Sequence, residues 1–144
     1  MIKYYGIGTW WKSIPYHQQF YNYVNNSRVC IHASLDKPTN REITNRQRFR
    51  DIFHRIEKGD VVYLKSYKIR GHMVRIRAVG KVISKDCSRE AKDLFCVNVH
   101  YHKYDFNGLV DDFNDIDDGV PRDERVYQES NPDIIRKINR LLQE

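Results

Sequence analysis

The stretch from Gly59 to Ile83, GDVVYLKSYKIRGHMVRIRAVGKVI, constrains this chain more than any other, because it sets two apolar, β-branched runs around one basic, glycine-containing break. It reads as a strand from Val61 to Tyr67, a loop through Gly71 and a long strand from Met73 to Ile83. Between Asp60 and Asp86 stand seven basic residues (Lys65, Lys68, Arg70, Arg75, Arg77, Lys81 and Lys85) and no Asp or Glu. A hairpin built here carries an unbalanced positive field and calls for an anionic partner. In the long strand, Val74, Ile76, Ala78, Gly80 and Val82 fall on one face, and Arg75, Arg77 and Lys81 on the other. Gly80 predicts a bulge or a sharp bend.

The charge is unevenly spread. Residues 1 to 90 hold 18 Lys plus Arg against 7 Asp plus Glu, net +11, and residues 91 to 144 hold 7 against 12, net −5, which sum to the +6 of the whole. With a pI near 9.2, the front of the protein is the anion-facing half. At 144 residues one domain spanning 1–144 is expected, with about 68% of the unfolded chain's surface buried. Cys30, Cys87 and Cys96 are an odd set without CxxC spacing, which predicts reduced thiols and a reducing compartment. No apolar run approaches membrane-spanning length and no leader pattern opens the chain, so a soluble, cytoplasmic protein without membrane contact is expected.

Taken in order, residues 2 to 11 read as a central strand, whose Gly6 and Gly8 allow close approach of another backbone or a ligand. Ser13 and Pro15 open a helix with Tyr16, Phe20, Tyr23 and Val24 on one face. Val29 to Ser34 is a short strand with Val29, Ile31 and Ala33 toward the core, and Cys30, His32 and Ser34 opposite. A second helix starts at Thr44 or Asn45, buries Phe49, Ile52, Phe53 and Ile56, and ends at Gly59 as a left-handed cap. Beyond the hairpin, Phe95, Val97, Val99 and Tyr101 alternate with Cys96, Asn98, His100 and His102 in a half-buried strand. Residues 105 to 125, acidic and irregular, are expected to form a mobile loop that covers the basic face in the absence of a ligand. Asn131, Pro132 and Asp133 open a final helix over 132–143, striped by Ile134, Ile135, Ile138, Leu141 and Leu142.

The order of these elements, with the series FRDIFHRIEKGDVVYLKSY and then MVRIRAVGKVI, is similar to the PUA-like superfamily, notably its EVE, ASCH and YTH branches. The resemblance covers about Met1 to Ile83. It implies an α+β fold, a PUA-like pseudo-barrel of mixed β-strands flanked by about three helices, and non-catalytic binding of RNA, DNA or a nucleotide. Several branches hold an extruded or modified base in an aromatic pocket, which pairs stacking with a cationic surround. By family position, Trp10 or Trp11 and Tyr67 would stack, and Ser34 and Lys65 would make polar contacts, with Ser66 and Tyr101 nearby. Lys68, Arg70, Arg75, Arg77 and Lys81 would meet phosphates. VCIHAS carries no aromatic where the YTH branch has a tryptophan, so a methyl-adenine cage is not implied.

Other classes have less behind them. Cys30 with His32, and Cys96 with His100 and His102, place soft and imidazole ligands on common strand faces, but their spacing matches no usual zinc signature. The aspartates from 111 to 118 fit neither a strand-borne two-metal site nor the EF-hand pattern. No GxxxxGK[ST] or GxGxxG is present, so phosphate recognition falls to Arg and Lys side chains, and no cofactor or metal is expected. The competing reading is a small intracellular interaction or inhibitor protein whose basic face docks an acidic partner. A metal-dependent nuclease comes third.

Overall fold

The computed structural model describes residues 1–9, 16–32, 40–85, 94–106 and 109–144. The elements are β1 (Tyr4–Gly8), α1 (Tyr16–Asn25), β2 (Arg28–His32), α2 (Asn40–His54), β3 (Val61–Lys68), β4 (Met73–Ser84), β5 (Leu94–Tyr104), β6 (Asp111–Asn114), β7 (Val126–Glu129) and α3 (Pro132–Gln143). The fold is α+β. Its strands form one curled mixed sheet in the order β2-β5-β4-β3-β1-β7, with β6 paired to β4 beside the end of β5. β1 lies between β3, to which it is parallel, and β7, to which it is antiparallel. Gly6 is obligatory there, because a Cβ on it would stand 2.3 Å from the ring of Tyr127 on the neighbouring strand.

The two faces of the sheet bury separate apolar clusters. On one, Val62, Leu64, Ala78, Val82, Val97, Val99 and Tyr101 pack beneath Phe20, Tyr23 and Val24 of α1 and Phe53 at the end of α2. On the other, Val61, Tyr63, Val74, Ile76, Val79 and Tyr127 pack beneath Ile134, Ile138 and Leu141 of α3. The α3 helix is capped as its sequence predicts, with the Asn131 side chain accepting from the N–H groups of Asp133 and Ile134. The second helix differs from expectation at both ends, running from Asn40 to His54. Gly59, at φ 92°, therefore does not cap it. Instead it serves the turn into β3, where the Asp60 carboxylate accepts from the backbone N–H groups of Glu57 and Lys3.

Bulges reset the faces of the hairpin. Leu64 pairs with Ala78 but Lys65 pairs with Ile76, so Arg77 is an extra residue on β4. Val74 and Ile76 consequently face α3, whereas Ala78 and Val82 face α1 and α2. The single apolar face expected along this strand is thus split in two. The irregularity anticipated at Gly80 is present, and its Cβ would stand 2.5 Å from the carbonyl oxygen of His100.

Two further expectations are corrected. Cys30 and Cys96 are joined by a disulfide across directly paired positions of β2 and β5, not held as reduced thiols. Spacing along the chain carried no sign of this, because the two residues are 66 positions apart and meet only through strand pairing. The acidic segment is likewise no simple mobile loop. Residues 111–114 form β6, and Asp115 and Asp118 bind the guanidinium of Arg122 at 2.9 and 2.8 Å. Arg122 is fully buried and also meets the fully buried Glu129 at 2.7 Å.

Replacing Arg122 by Met strands the Glu129 charge in the interior and is expected to cost about 3–5 kcal/mol in chemical denaturation. The pair Arg122→Met with Glu129→Gln should cost less than the single change, and equal losses would deny the coupling. Protein purified without reductant and then denatured should titrate one thiol, rising to three after reduction; three thiols before reduction would remove the bridge.

Candidate functional site

The basic hairpin of β3 and β4 sorts the sequence-derived site residues onto two sides. Alternation along β3 sends Leu64, Ser66 and Lys68 toward the α1 side, and Lys65 and Tyr67 toward the α3 side. Along β4, Arg75 lies opposite Val74 and Ile76 and so shares the α1 side, where it pairs in register with Ser66. Arg77, from its bulge, donates through Nε to the Ser66 hydroxyl at 3.2 Å. Lys81, flanked by Val82, points to the α3 side instead, opposite His100. Ser66, Lys68, Arg75 and Arg77 are therefore brought together, with Arg77 buried at 8% exposed, Arg70 stands exposed in the connecting turn, and Lys81 belongs to a different surface.

The apolar cluster on the α1 side extends along this hairpin only as far as Leu64 and Ala78. Beyond it the same face continues with Ser66, Lys68 and Arg75. Arg75 is half-buried and its Nε has no hydrogen-bond partner among the described residues. The nearest carboxylate by strand pairing is Asp112 of β6, which sits opposite Arg75 in the ladder.

Lys65 and Tyr67 have other occupations. Lys65 is 3% exposed, donates from Nζ to the carbonyl oxygens of Arg122 and Glu124 at 2.8 and 2.6 Å, and stands over the Tyr127 ring. Burial lowers its pKa to about 8. It ties β3 to the 122–125 segment and offers no exposed ammonium to a ligand. The Tyr67 hydroxyl donates to Asp115 at 2.9 Å, and burial followed by that hydrogen bond raises its pKa to about 12. Tyr101 is a core residue, 8% exposed, whose hydroxyl donates to the Arg28 carbonyl oxygen. Trp10, Trp11 and Ser34 lie outside the described residues. Thr9, the last described residue before the tryptophans, bonds through its N–H to the Lys65 carbonyl oxygen.

Sequence reasoning missed the cluster that surrounds Lys65. Arg122, Glu129, Asp115, Asp118, Tyr63 and Tyr127 form one network, with Tyr63 donating to Glu129 at 2.8 Å and sharing a hydrogen bond with Tyr127 at 2.7 Å. Burial works against the Arg122 charge, but bonds to Glu129, Asp118 and Asp115 outweigh it and hold the guanidinium pKa above its ordinary value. The same contact, with a bond from Asn131, holds Asp118 well below the usual carboxylate range. The available signal was a lone arginine within an acid-rich segment. On the exposed surface around Lys81, His100 and His102 meet edge to face at 4.8 Å, and burial, then His100 and Lys81, lower the pKa of His102. With Cys30 and Cys96 bridged, the thiolates of the weighed zinc arrangement are used up, and among the described residues no three His, Cys, Asp or Glu side chains are grouped to hold a metal.

No protein-family model, curated protein or solved structure matches this chain. Among the described residues no helix is long and apolar enough to cross a membrane.

The Lys65 geometry fixes a pH dependence. Between pH 8 and the ordinary lysine value of 10.5 the unfolded chain holds a proton that the folded chain has lost, so this group adds stability as pH rises. Buried Tyr63, Tyr101 and Tyr127, all raised, act in the opposite direction as pH climbs past 10. The comparison is therefore with Lys65→Met. Wild-type stability minus that of the variant should increase by on the order of 1–3 kcal/mol from pH 8 to 10 in urea titrations, and a flat difference would mean the ammonium is not desolvated.

Proposed function

We propose that this protein is a non-catalytic binder of nucleic acid or of a nucleotide, built on a PUA-like version of the curled sheet. The observation that carries the reading is the α1-side face of the hairpin, where exposed Lys68 and half-buried Arg75 extend past the end of the apolar cluster. Charges placed for folding alone gain from partners, as Arg122 and Lys65 do. Cations left on a sheet face beyond its core favour an anion from outside, and a phosphate suits a guanidinium in charge and in hydrogen-bond geometry. The PUA-like part rests on the order of elements from β1 to β4 and on the irregularity in the Gly80-containing strand, both within the stretch that carries the resemblance. Under this reading Trp10 or Trp11 stacks on a base and Ser34 makes a polar contact, while Lys68, Arg70 and Arg75 hold phosphates; Arg77, expected from the sequence to do the same, is buried and binds Ser66 instead.

The acidic segment does not act as a removable cover. β6 is a paired strand beside the hairpin, and deleting residues 108–120 would also remove Asp115 and Asp118 from Arg122.

Fluorescence anisotropy with labelled single-stranded DNA, duplex DNA and RNA over a salt series tests the proposal. For single strands the slope of log affinity against log salt should be about −2 to −3 for three or four phosphates neutralised, and each of Lys68→Gln, Arg70→Gln and Arg75→Gln should reduce it by about 0.7. Mononucleotides should compete with the labelled strands and should quench the fluorescence of Trp10 or Trp11. If no nucleic acid or nucleotide binds and an acidic protein does, the interaction-module reading replaces this one.

A further inference from the structure

Three aromatic rings drawn from distant parts of the chain meet at the surface on the α1 side of the sheet. Tyr21 of α1 is 40% exposed and Tyr104, the last residue of β5, is 47% exposed. Phe106 joins them, stacked on Tyr21 at 4.5 Å with 7° between the planes and 5.1 Å from Tyr104. Beneath, Phe106 meets the buried Phe20 edge to face at 5.5 Å, so the exposed rings stand on the core rather than on a loop. Exposed aromatics scattered singly need no explanation, whereas a contiguous set does.

Its position gives the set a meaning. Tyr104 pairs in register with Ala78, which faces α1 and α2, and the N–H of Asp105 donates to the Arg77 carbonyl oxygen. The rings therefore lie on the same side of the sheet as Ser66, Lys68 and Arg75. Strand rise and strand spacing put Arg75 about 10 Å from Tyr104. Moving from the rings along β4 to the hairpin turn, the face presents π surfaces, then the half-buried Arg75, then the exposed Lys68.

We propose that Tyr21, Tyr104 and Phe106 form a stacking platform for unpaired bases of a single-stranded nucleic acid whose phosphates run along Arg75 and Lys68. The proposal rests on the nucleic-acid reading above and narrows it from nucleic acid in general to single strands. A polymer that alternates flat bases with anionic phosphates uses both halves of this face. An acidic peptide would use only the cations, and in a duplex the base faces are already stacked on one another.

The test measures oligo(dT) and oligo(U), each about ten nucleotides long, against wild type and against Tyr21→Ala, Tyr104→Ala, Tyr21→Phe and Tyr104→Phe. Each alanine variant should weaken binding by about five- to 150-fold without changing the salt slope, and each phenylalanine variant should bind like wild type. Photo-crosslinking of 5-iodouracil-substituted oligonucleotide to unaltered protein, mapped by mass spectrometry, is independent of variant folding and should place adducts on Tyr21, Tyr104 or Phe106. Alanine variants that bind normally, adducts confined elsewhere, or a preference for duplex would overturn the platform while leaving nucleic-acid binding in place. Failure of wild type to bind any oligonucleotide would overturn both.

Discussion

The contact of Arg122 with Glu129 is the interaction on which the α3 side of this protein depends. Both side chains are fully buried, and neither charge is tolerable there alone. Glu129 comes from β7 and also accepts from Tyr63 of β3, while Arg122 reaches Asp115 and Asp118 in the segment after β6. One ion pair thus ties the acidic segment after β6, which has little apolar content of its own, to the buried strands β3 and β7. Its partner Lys65 adds a second anchor by donating to the carbonyl oxygens of Arg122 and Glu124, which holds the same segment against β3. The acidic stretch is ordered because a buried cation organises it.

Bulges then determine which residues share a face. A strand without irregularity would have put Val74 through Val82 on one side; the extra residue at Arg77 turns the outer part of the hairpin over relative to its base. The consequence is functional as well as structural. Arg75 and Arg77 join Ser66 on one side, whereas Lys81 is separated from them. A positive run continuous in sequence becomes two surfaces in space.

Much of the scaffold was legible from local pattern. The alternation of Phe95, Val97, Val99 and Tyr101, the cap at Asn131 and the irregularity at Gly80 each depend on neighbours within a few residues. What was not legible depends on long-range pairing. The Cys30–Cys96 bridge, the Arg122 cluster and the contact of Tyr21 with Phe106 join residues whose sequence neighbourhoods say nothing of one another. Lys65 shows the same limit from the other direction, because its place in a basic run marked it as a ligand contact and only the fold reveals that it faces inward. Of the sequence-derived site residues, Lys68 and Arg75 share one face, with Ser66 and the buried Arg77 between them and the core.

The division of charge between the two sides of the sheet supports the functional reading. On the α3 side, Arg122 and Lys65 stand with Asp115, Asp118 and Glu129, and Lys137 meets Asp111 at 3.4 Å, so cations and carboxylates are consumed against each other. On the α1 side of the hairpin, strand pairing among the described residues sets Asp112 across from Arg75. Lys68 and Arg75 stand on the face that also carries the exposed rings of Tyr21 and Tyr104, and the proposed binding of a single strand rests on that combination.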